Sequence, residues 1–346
     1  MGAPTSLVTG AAGFIGSHVA EHLLARGHNV VAMDDLSGGY VENVPKGAQF
    51  VEGTTTDAAL VNALFREHKF DYVYHLAAYA AEGLSPFIRS FNYTNNLLGS
   101  VSLINAAVNV GGVKCFVFTS SLAVYGAGQV PMHEGMVPSP EDPYGIAKYA
   151  VELDLAQAHS MWGLPYVVFR PHNVYGERQN IADRYRNVIG IFMNQAMRGE
   201  PMSVFGDGLQ TRAFSYISDV APIIASAPER PAAYQRVINV GADQPYTILE
   251  MAKTVARAMG VSENITHLEA RHEVKHAWTK HDVCEELFGD LRTNVGLEAG
   301  VERMARWARQ VGKRDPSRFE KIEIDRGLYG FWLTEAEAAR KAGKAR

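Results

Sequence analysis

Tyr144 and Lys148, in the segment Tyr144-Gly145-Ile146-Ala147-Lys148, lie about one helical turn apart. A phenol and an ammonium then project from the same face. A nearby ammonium favours phenolate and lowers a tyrosine pKa from its reference of about 10. Bringing it near neutrality takes about three units, or roughly 4 kcal/mol, which a lysine and a cationic ring together can supply. The chemistry on offer is proton removal by tyrosine in a redox reaction. The spacing alone arises often by chance, as an aromatic packed over a solvated helix, so the flanking elements must decide.

Those elements begin at the N-terminus. Thr9-Gly10-Ala11-Ala12-Gly13-Phe14-Ile15-Gly16 follows a short apolar strand and opens a helical pattern. Gly10 suits a tight turn, Gly13 lets backbone approach a pyrophosphate, and Gly16 allows close helix–strand packing. The helix N-terminus then points amide donors at the phosphates. The next strand ends in Asp34-Asp35, about twenty residues beyond the glycines. A carboxylate there accepts from the ribose hydroxyls of adenosine and repels a 2′-phosphate, favouring NAD over NADP. Asp34 is the better placed of the two.

Strands are expected at 6–9, 30–33, 49–51, 72–75, 115–119 and 166–169, with helices at 18–26, 58–68, 95–110 and 144–161. Such alternation implies right-handed βαβ crossovers and a parallel sheet. After about Gly176 the rhythm loosens. The expected organisation is an NAD-binding Rossmann domain over 1–176 carrying Ser121, Tyr144 and Lys148, and a smaller α/β substrate-binding lobe over 177–332. A strand near 237–240 is expected to return to the main sheet, and 333–346 reads as a charged tail.

Bulk properties narrow the class. A net charge of −4 gives no support to nucleic acid as the main ligand. Two cysteines, Cys115 and Cys284, provide no disulfide framework and fit a reducing compartment. No signal peptide or apolar run of membrane-spanning length is present, so a cytoplasmic location without membrane attachment is the default. His267, His272, His276 and His281 lack the acid–histidine spacing of a metal site, and no metal is expected.

Taken in order, the glycine turn, His75-Leu76-Ala77-Ala78, Asn95, Thr119-Ser120-Ser121, Tyr144/Lys148, Arg170-Pro171-His172-Asn173 and the stretch 205–219 resemble the extended short-chain dehydrogenase/reductase family, specifically its nucleotide-sugar epimerases and dehydratases. The resemblance runs from Thr9 to about Trp307. It implies a Rossmann-type doubly wound parallel sheet, NAD as cofactor, a nucleotide-sugar substrate and a homodimer built through helices that include the Tyr144 helix. It assigns cofactor contacts to Gly10, Gly13, Phe14, Ile15, Gly16, Asp34, Asp35, Leu76, Ala77, Ala78, Asn95, Thr119, Tyr144, Lys148 and Pro171. Ser121, Tyr144 and Lys148 become the catalytic group, and Arg170 is structural. Ser121, Asn173, Asn187, Arg212 and Arg271 become substrate contacts, the two arginines facing the diphosphate, where a planar guanidinium suits bidentate binding.

The resemblance also frames the reaction. Dehydratases typically carry an acidic pair directly after the threonine, and decarboxylating relatives place a glutamate there, whereas this chain reads Ser120-Ser121-Leu122-Ala123. That favours 4-epimerisation through a transient 4-keto-sugar, of a UDP-hexose such as UDP-glucose or UDP-galactose. A GDP-mannose 3,5-epimerase type of reaction needs a cysteine and a lysine where this chain has Ala123 and about Asn187. UDP-glucuronate 4-epimerisation, another keto-sugar reaction, and a non-catalytic dinucleotide sensor stay open as alternatives. Arg184 and Arg186 lie in the loop that approaches the sugar, as uronate ligands or as solvated loop residues. Trp278 is a candidate wall of the sugar site. The stretch Tyr79-Ala80-Ala81-Glu82 departs from relatives, which often carry glutamine or lysine there, and Thr54 stands where an acid usually contacts adenine.

Overall fold

In the computed structural model, which describes residues 2–271 and 273–333, the alternating apolar runs form one seven-stranded parallel sheet. Its first six strands are β1 (Thr5–Thr9), β2 (Asn29–Asp34), β3 (Gln49–Glu52), β4 (Tyr72–His75), β5 (Cys115–Thr119) and β6 (Tyr166–Pro171). The seventh, Val237–Val240, pairs in parallel with β6, so the spatial order is β3-β2-β1-β4-β5-β6 followed by that strand. Both faces are buried, as a sheet of crossover connections requires. Successive residues therefore feed two separate apolar layers. Val8, Ala32, Val117 and Val167 enter one layer, while Leu7, Val31, Phe116 and Val168 enter the other.

Helices α1 (Phe14–Ala25), α2 (Ala58–His68), α3 (Arg89–Tyr93), α4 (Gly99–Val110) and α5 (Pro143–Trp162) supply the crossovers. Two boundaries differ from expectation for local reasons. Helix α1 begins at Phe14 rather than near 18, because extended Gly13 caps it and accepts from the Ser17 amide at 3.2 Å. The expected 95–110 helix instead starts at Arg89 and passes through a π turn at Thr94–Leu98. Asn96 explains that turn: its side chain bonds both the amide (2.9 Å) and the carbonyl (3.1 Å) of Tyr79. Such insertions occur often beside functional sites.

Beyond β6, short strands form the remaining lobe. Met202–Phe205 pairs with Ile265–Leu268, and Thr211–Ala213 lies between Pro245–Thr247 and His276–Ala277. Helices α6 (Val188–Arg198), α7 (Ala221–Ser226), α8 (Ile248–Met259), α9 (Asp282–Phe288) and α10 (Leu297–Val311) complete it. Past α10 the chain turns back: Leu328 and Trp332 are buried against Ala81, Leu84, Phe87 and Ile88. The expected tail falls almost entirely outside the described residues. Among the described residues no helix is long and apolar enough to cross a membrane.

In this strand order the connection reverses between β1 and β4, whose last residues Thr9 and His75 are in register. That crevice at the carboxyl ends of the strands is where open α/β sheets bind ligands.

Candidate active site

A cavity of about 630 Å³ opens at that crevice. All twenty residues expected to touch cofactor or substrate line it, from Gly10 and Asp34 at one end to Arg212 and Arg271 at the other.

The dinucleotide end is shaped by bare backbone. A Cβ on Gly10, whose φ is +70°, would lie 2.8 Å from the Ala77 amide nitrogen. One on Gly16 would lie 2.1 Å from the Gly10 carbonyl oxygen. Bare backbone at these positions lets the turn pack against the segment after β4 and α1 against the turn, which sets the α1 N-terminus at the crevice. Asp34 accepts from the Ala12 amide (3.0 Å) and the Leu36 amide (2.8 Å), which orients its carboxylate at the end of β2. Burial nonetheless pushes its pKa up. This combination fits an adenosine ribose and a pyrophosphate. Asn95, carried by the π turn, and Leu76, Ala77 and Ala78, after β4, line the same end.

Helix α5 delivers the phenol and the amine. Asp142 caps it by accepting from the amides of Tyr144 (2.8 Å) and Gly145 (3.0 Å), with Pro143 in the first turn, where a missing N–H does no harm. Tyr144 and Lys148 are both buried, and Lys148 donates to the Thr119 carbonyl oxygen at 2.8 Å. The lysine nitrogen is 5.8 Å from the centre of the Tyr144 ring.

The electrostatics differ from the simple pair. Burial raises the Tyr144 phenol above its ordinary value; the Ser121 hydroxyl opposes this, and the charges of Glu82 and Asp142 reinforce it. Burial pushes Lys148 down to about 7, with Glu152 acting the other way. In the protein by itself desolvation dominates, and the cation that acts against it on the phenol is Arg186.

Eight residues after Tyr144, on the same helix face, Glu152 accepts from Arg170 Nε at 2.9 Å and from the Ser120 hydroxyl. Arg170 is accordingly a structural cation joining α5 to β6. Ser121 caps the turn after β5, its hydroxyl oxygen accepting from the Ala123 amide at 3.1 Å. Asn173 adopts φ +41° and donates to the Ala213 carbonyl oxygen at 3.1 Å. Asn187, at φ +64°, precedes α6.

At the far end Glu273 bridges the arginine pair, 3.0 Å from Arg271 and 3.5 Å from Arg212. Arg271 also lies 4.4 Å over the Phe205 ring. Two guanidiniums converging on one carboxylate are spaced for a diphosphate as well.

Two expectations near the sugar are corrected. Trp278 does not line the cavity; the preceding Ala277 does, because neighbouring residues of an extended segment face opposite ways. Arg184 and Arg186 are half-buried and line the cavity, each with a protein partner. Arg186 pairs with Asp183 at 2.6 Å over the Tyr79 ring, and Arg184 donates to the Phe331 carbonyl oxygen at 3.0 Å. Asp142, Glu152 and Glu273 were missed. The Asp-Pro step before Tyr144 and the (i, i+4, i+8) stripe along α5 are signals that could have found the first two. Glu273 has no such signal, since its partner Arg212 lies about sixty residues away.

Residues 6–241 match the model of the NAD dependent epimerase/dehydratase family. UDP-glucose 4-epimerase of Mycolicibacterium smegmatis is 36% identical over 312 residues, covering 88% of this chain and 98% of its own length. The crystal structure of a Thermotoga maritima UDP-glucose 4-epimerase with UDP-glucose superposes with TM-score 0.83 at 32% identity, over 89% of this chain and 99% of that one. A Thermus thermophilus UDP-glucose 4-epimerase in complex with NAD gives TM-score 0.82 at 32% identity, over 88% and 98%. With the glycine cradle, Asp34 and the Tyr144/Lys148 face assembled around one cavity, the chain belongs to the NAD dependent epimerase/dehydratase family.

Proposed function

We propose that the chain is a nucleotide-sugar 4-epimerase acting on a UDP-hexose through a transient 4-keto-sugar. The observation that carries this reading is one cavity holding Ser121, Tyr144 and Lys148 at its centre and the Arg212/Arg271 pair beyond them, with Ala123 rather than an acid beside the serine. Tyr144 takes the proton of the sugar 4-hydroxyl, and Ser121 donates to the same oxygen as it becomes a carbonyl. Lys148, anchored by the Thr119 carbonyl, keeps further N–H donors for the cofactor ribose. Bound NAD supplies a reversible hydride acceptor at the sugar carbon and a positive ring that favours the phenolate. Arg212 and Arg271 hold the diphosphate while the keto-sugar turns over and presents its other face. Tyr144 then returns the proton. Without an acid beside Ser121, the chain lacks at that position the group that would drive loss of water or carbon dioxide.

Proton NMR with UDP-glucose, UDP-galactose, UDP-glucuronate and GDP-mannose tests the reading. A new anomeric signal reaching the same ratio from UDP-glucose and from UDP-galactose is the expected result. A deoxy-keto product or carbon dioxide would overturn it.

We also propose a homodimer through the outer face of α5. Ile146 and Leu153, seven residues apart on that helix, are 41% and 54% exposed, and Leu98 beside them is 58% exposed. Aligned apolar side chains at this spacing suit helix-on-helix burial between two copies. Light scattering should give twice 37.9 kDa. A monomer at micromolar concentration would sink the proposal.

A further inference from the structure

The turn Glu82–Phe87, between β4 and α3, brings a carboxylate into the substrate half of the cavity. Glu82 acts electrostatically on the Tyr144 phenol, and it also feels Arg212, Arg271 and Glu273. Its turn touches both regions: the Tyr144 amide donates to the Ser85 hydroxyl at 3.2 Å, and a Cβ on Gly83 would lie 3.7 Å from Arg271 Nη1. In the proposed reading the sugar lies between Tyr144 and the diphosphate, and so beside this turn. Among the described residues no donor hydrogen-bonds the Glu82 carboxylate. Its walls and the neighbouring Asp142 push its pKa up, while the two arginines act in the opposite sense. Glu82 is exposed to the cavity, and with no donor from the described residues both carboxylate oxygens are open to the hydroxyls of a ligand.

The turn is held in place from several directions. The Ser85 hydroxyl is 2.8 Å from the Glu82 carbonyl oxygen and 3.2 Å from Asp142, the cap of the Tyr144 helix. Trp332 packs over the turn, close enough that a Cβ on Gly83 would lie 3.6 Å from its ring. Glu323, in the same returning segment, accepts from the Ser90 and Phe91 amides that begin α3. Glu82 is thus presented on a braced element.

Two further cations, Arg184 and Arg186, line the same cavity. Arg186 is neutralised by Asp183, and Arg184 is held by the Phe331 carbonyl and lies over that residue's ring. A sugar carboxylate beside the turn would face the like charge of Glu82.

We propose that Glu82 is a specificity-determining residue, accepting hydrogen bonds from the hydroxyls of an uncharged hexose and excluding hexuronates by like charge. The proposal rests on the nucleotide-sugar epimerase reading and names the sugar class for that site. Two carboxylate oxygens suit adjacent hydroxyls, and the same negative charge repels an anionic substituent; attraction and exclusion come from one group.

The test uses the NAD-loaded full chain and its Glu82→Gln and Glu82→Ala variants. Calorimetric titration with UDP-glucose and UDP-glucuronate gives affinities whether or not turnover occurs, and NMR gives kcat and KM separately. The wild type should bind UDP-glucose at least about 10-fold more tightly than UDP-glucuronate. Glu82→Gln keeps the shape and removes the charge, so UDP-glucuronate should gain about 10-fold while UDP-glucose weakens by a smaller factor, chiefly in KM. Glu82→Ala should weaken UDP-glucose further. If the affinity ratio is the same in all three proteins, Glu82 does not select the sugar and the inference falls. The same holds if the wild type prefers the uronate. Binding that follows the expected pattern without epimerisation would overturn the proposed reaction and leave the sugar selection standing. An unchanged melting temperature and NAD affinity in Glu82→Gln exclude a merely structural role.

Discussion

Tyr144→Phe is expected to lower kcat for 4-epimerisation by about 10²- to 10⁴-fold while leaving KM, NAD affinity and melting temperature nearly unchanged. The substitution removes one oxygen from a ring that is 6% exposed and keeps the packing of that ring. What disappears is the single titrating group that the Ser121 hydroxyl supports beneath the cavity. Lys148 is not placed to replace it, because its amine is drawn toward the Thr119 carbonyl. The separation of kcat from KM matters: a residue that only shaped the site would alter both. Steady-state kinetics in both directions, with NAD titration and a thermal melt as controls, make the measurement. Activity within about threefold of wild type would eliminate Tyr144 as the proton acceptor.

The second large effect concerns stability. Glu152→Ala is expected to destabilise the chain by about 3–5 kcal/mol, since it leaves a buried guanidinium unpaired. The side chains of Arg170 and Glu152 are 4% and 5% exposed. Arg170 lies 4.7 Å over the Tyr125 ring, and its Nη1 already lacks a partner. Water cannot readily solvate the cation once the carboxylate is gone. For a chain of this length the loss corresponds to a fall of roughly 4–7 °C in melting temperature. The double variant Glu152→Ala/Arg170→Met should recover much of it, because replacing both ions by apolar groups removes the unpaired charge. A single variant that melts within about 1 °C of wild type would show that the pair contributes little. The Ser120 hydroxyl loses its acceptor in the same substitution, so the strand end that carries Ser121 should loosen and kcat should fall as well.

Much of this molecule is legible along the chain. The alternation of short β-branched runs with helical patterns determined a parallel sheet, since parallel strands require crossovers and each strand must be apolar on both faces. The glycines at 10, 13 and 16 determined a backbone-lined phosphate site, because side chains at Gly10 and Gly16 would collide with backbone and one at Gly13 would be tight against the Gly10 carbonyl. Asp34 at the end of the second strand and the one-turn spacing of Tyr144 and Lys148 were equally readable. In each case the informative partners lie within about twenty-five residues, and helix or strand periodicity sets their relative direction.

Other features were decided only when distant segments met. The bridge from Glu273 to Arg212 joins residues some sixty positions apart, and the returning segment at Trp332 packs on a turn at Glu82 nearly 250 positions earlier. The same holds for charge. One-turn spacing brings Lys148 near Tyr144, yet burial by the whole fold moves the phenol up and the amine down to about 7. Arg184 and Arg186 look free in the sequence and are engaged in the structure, by Phe331 in one case and Asp183 in the other. Local spacing determines which groups can share a face. Desolvation and long-range contacts determine which of them stay charged and which remain available to a substrate, and both quantities exist only once the chain has closed around the cavity.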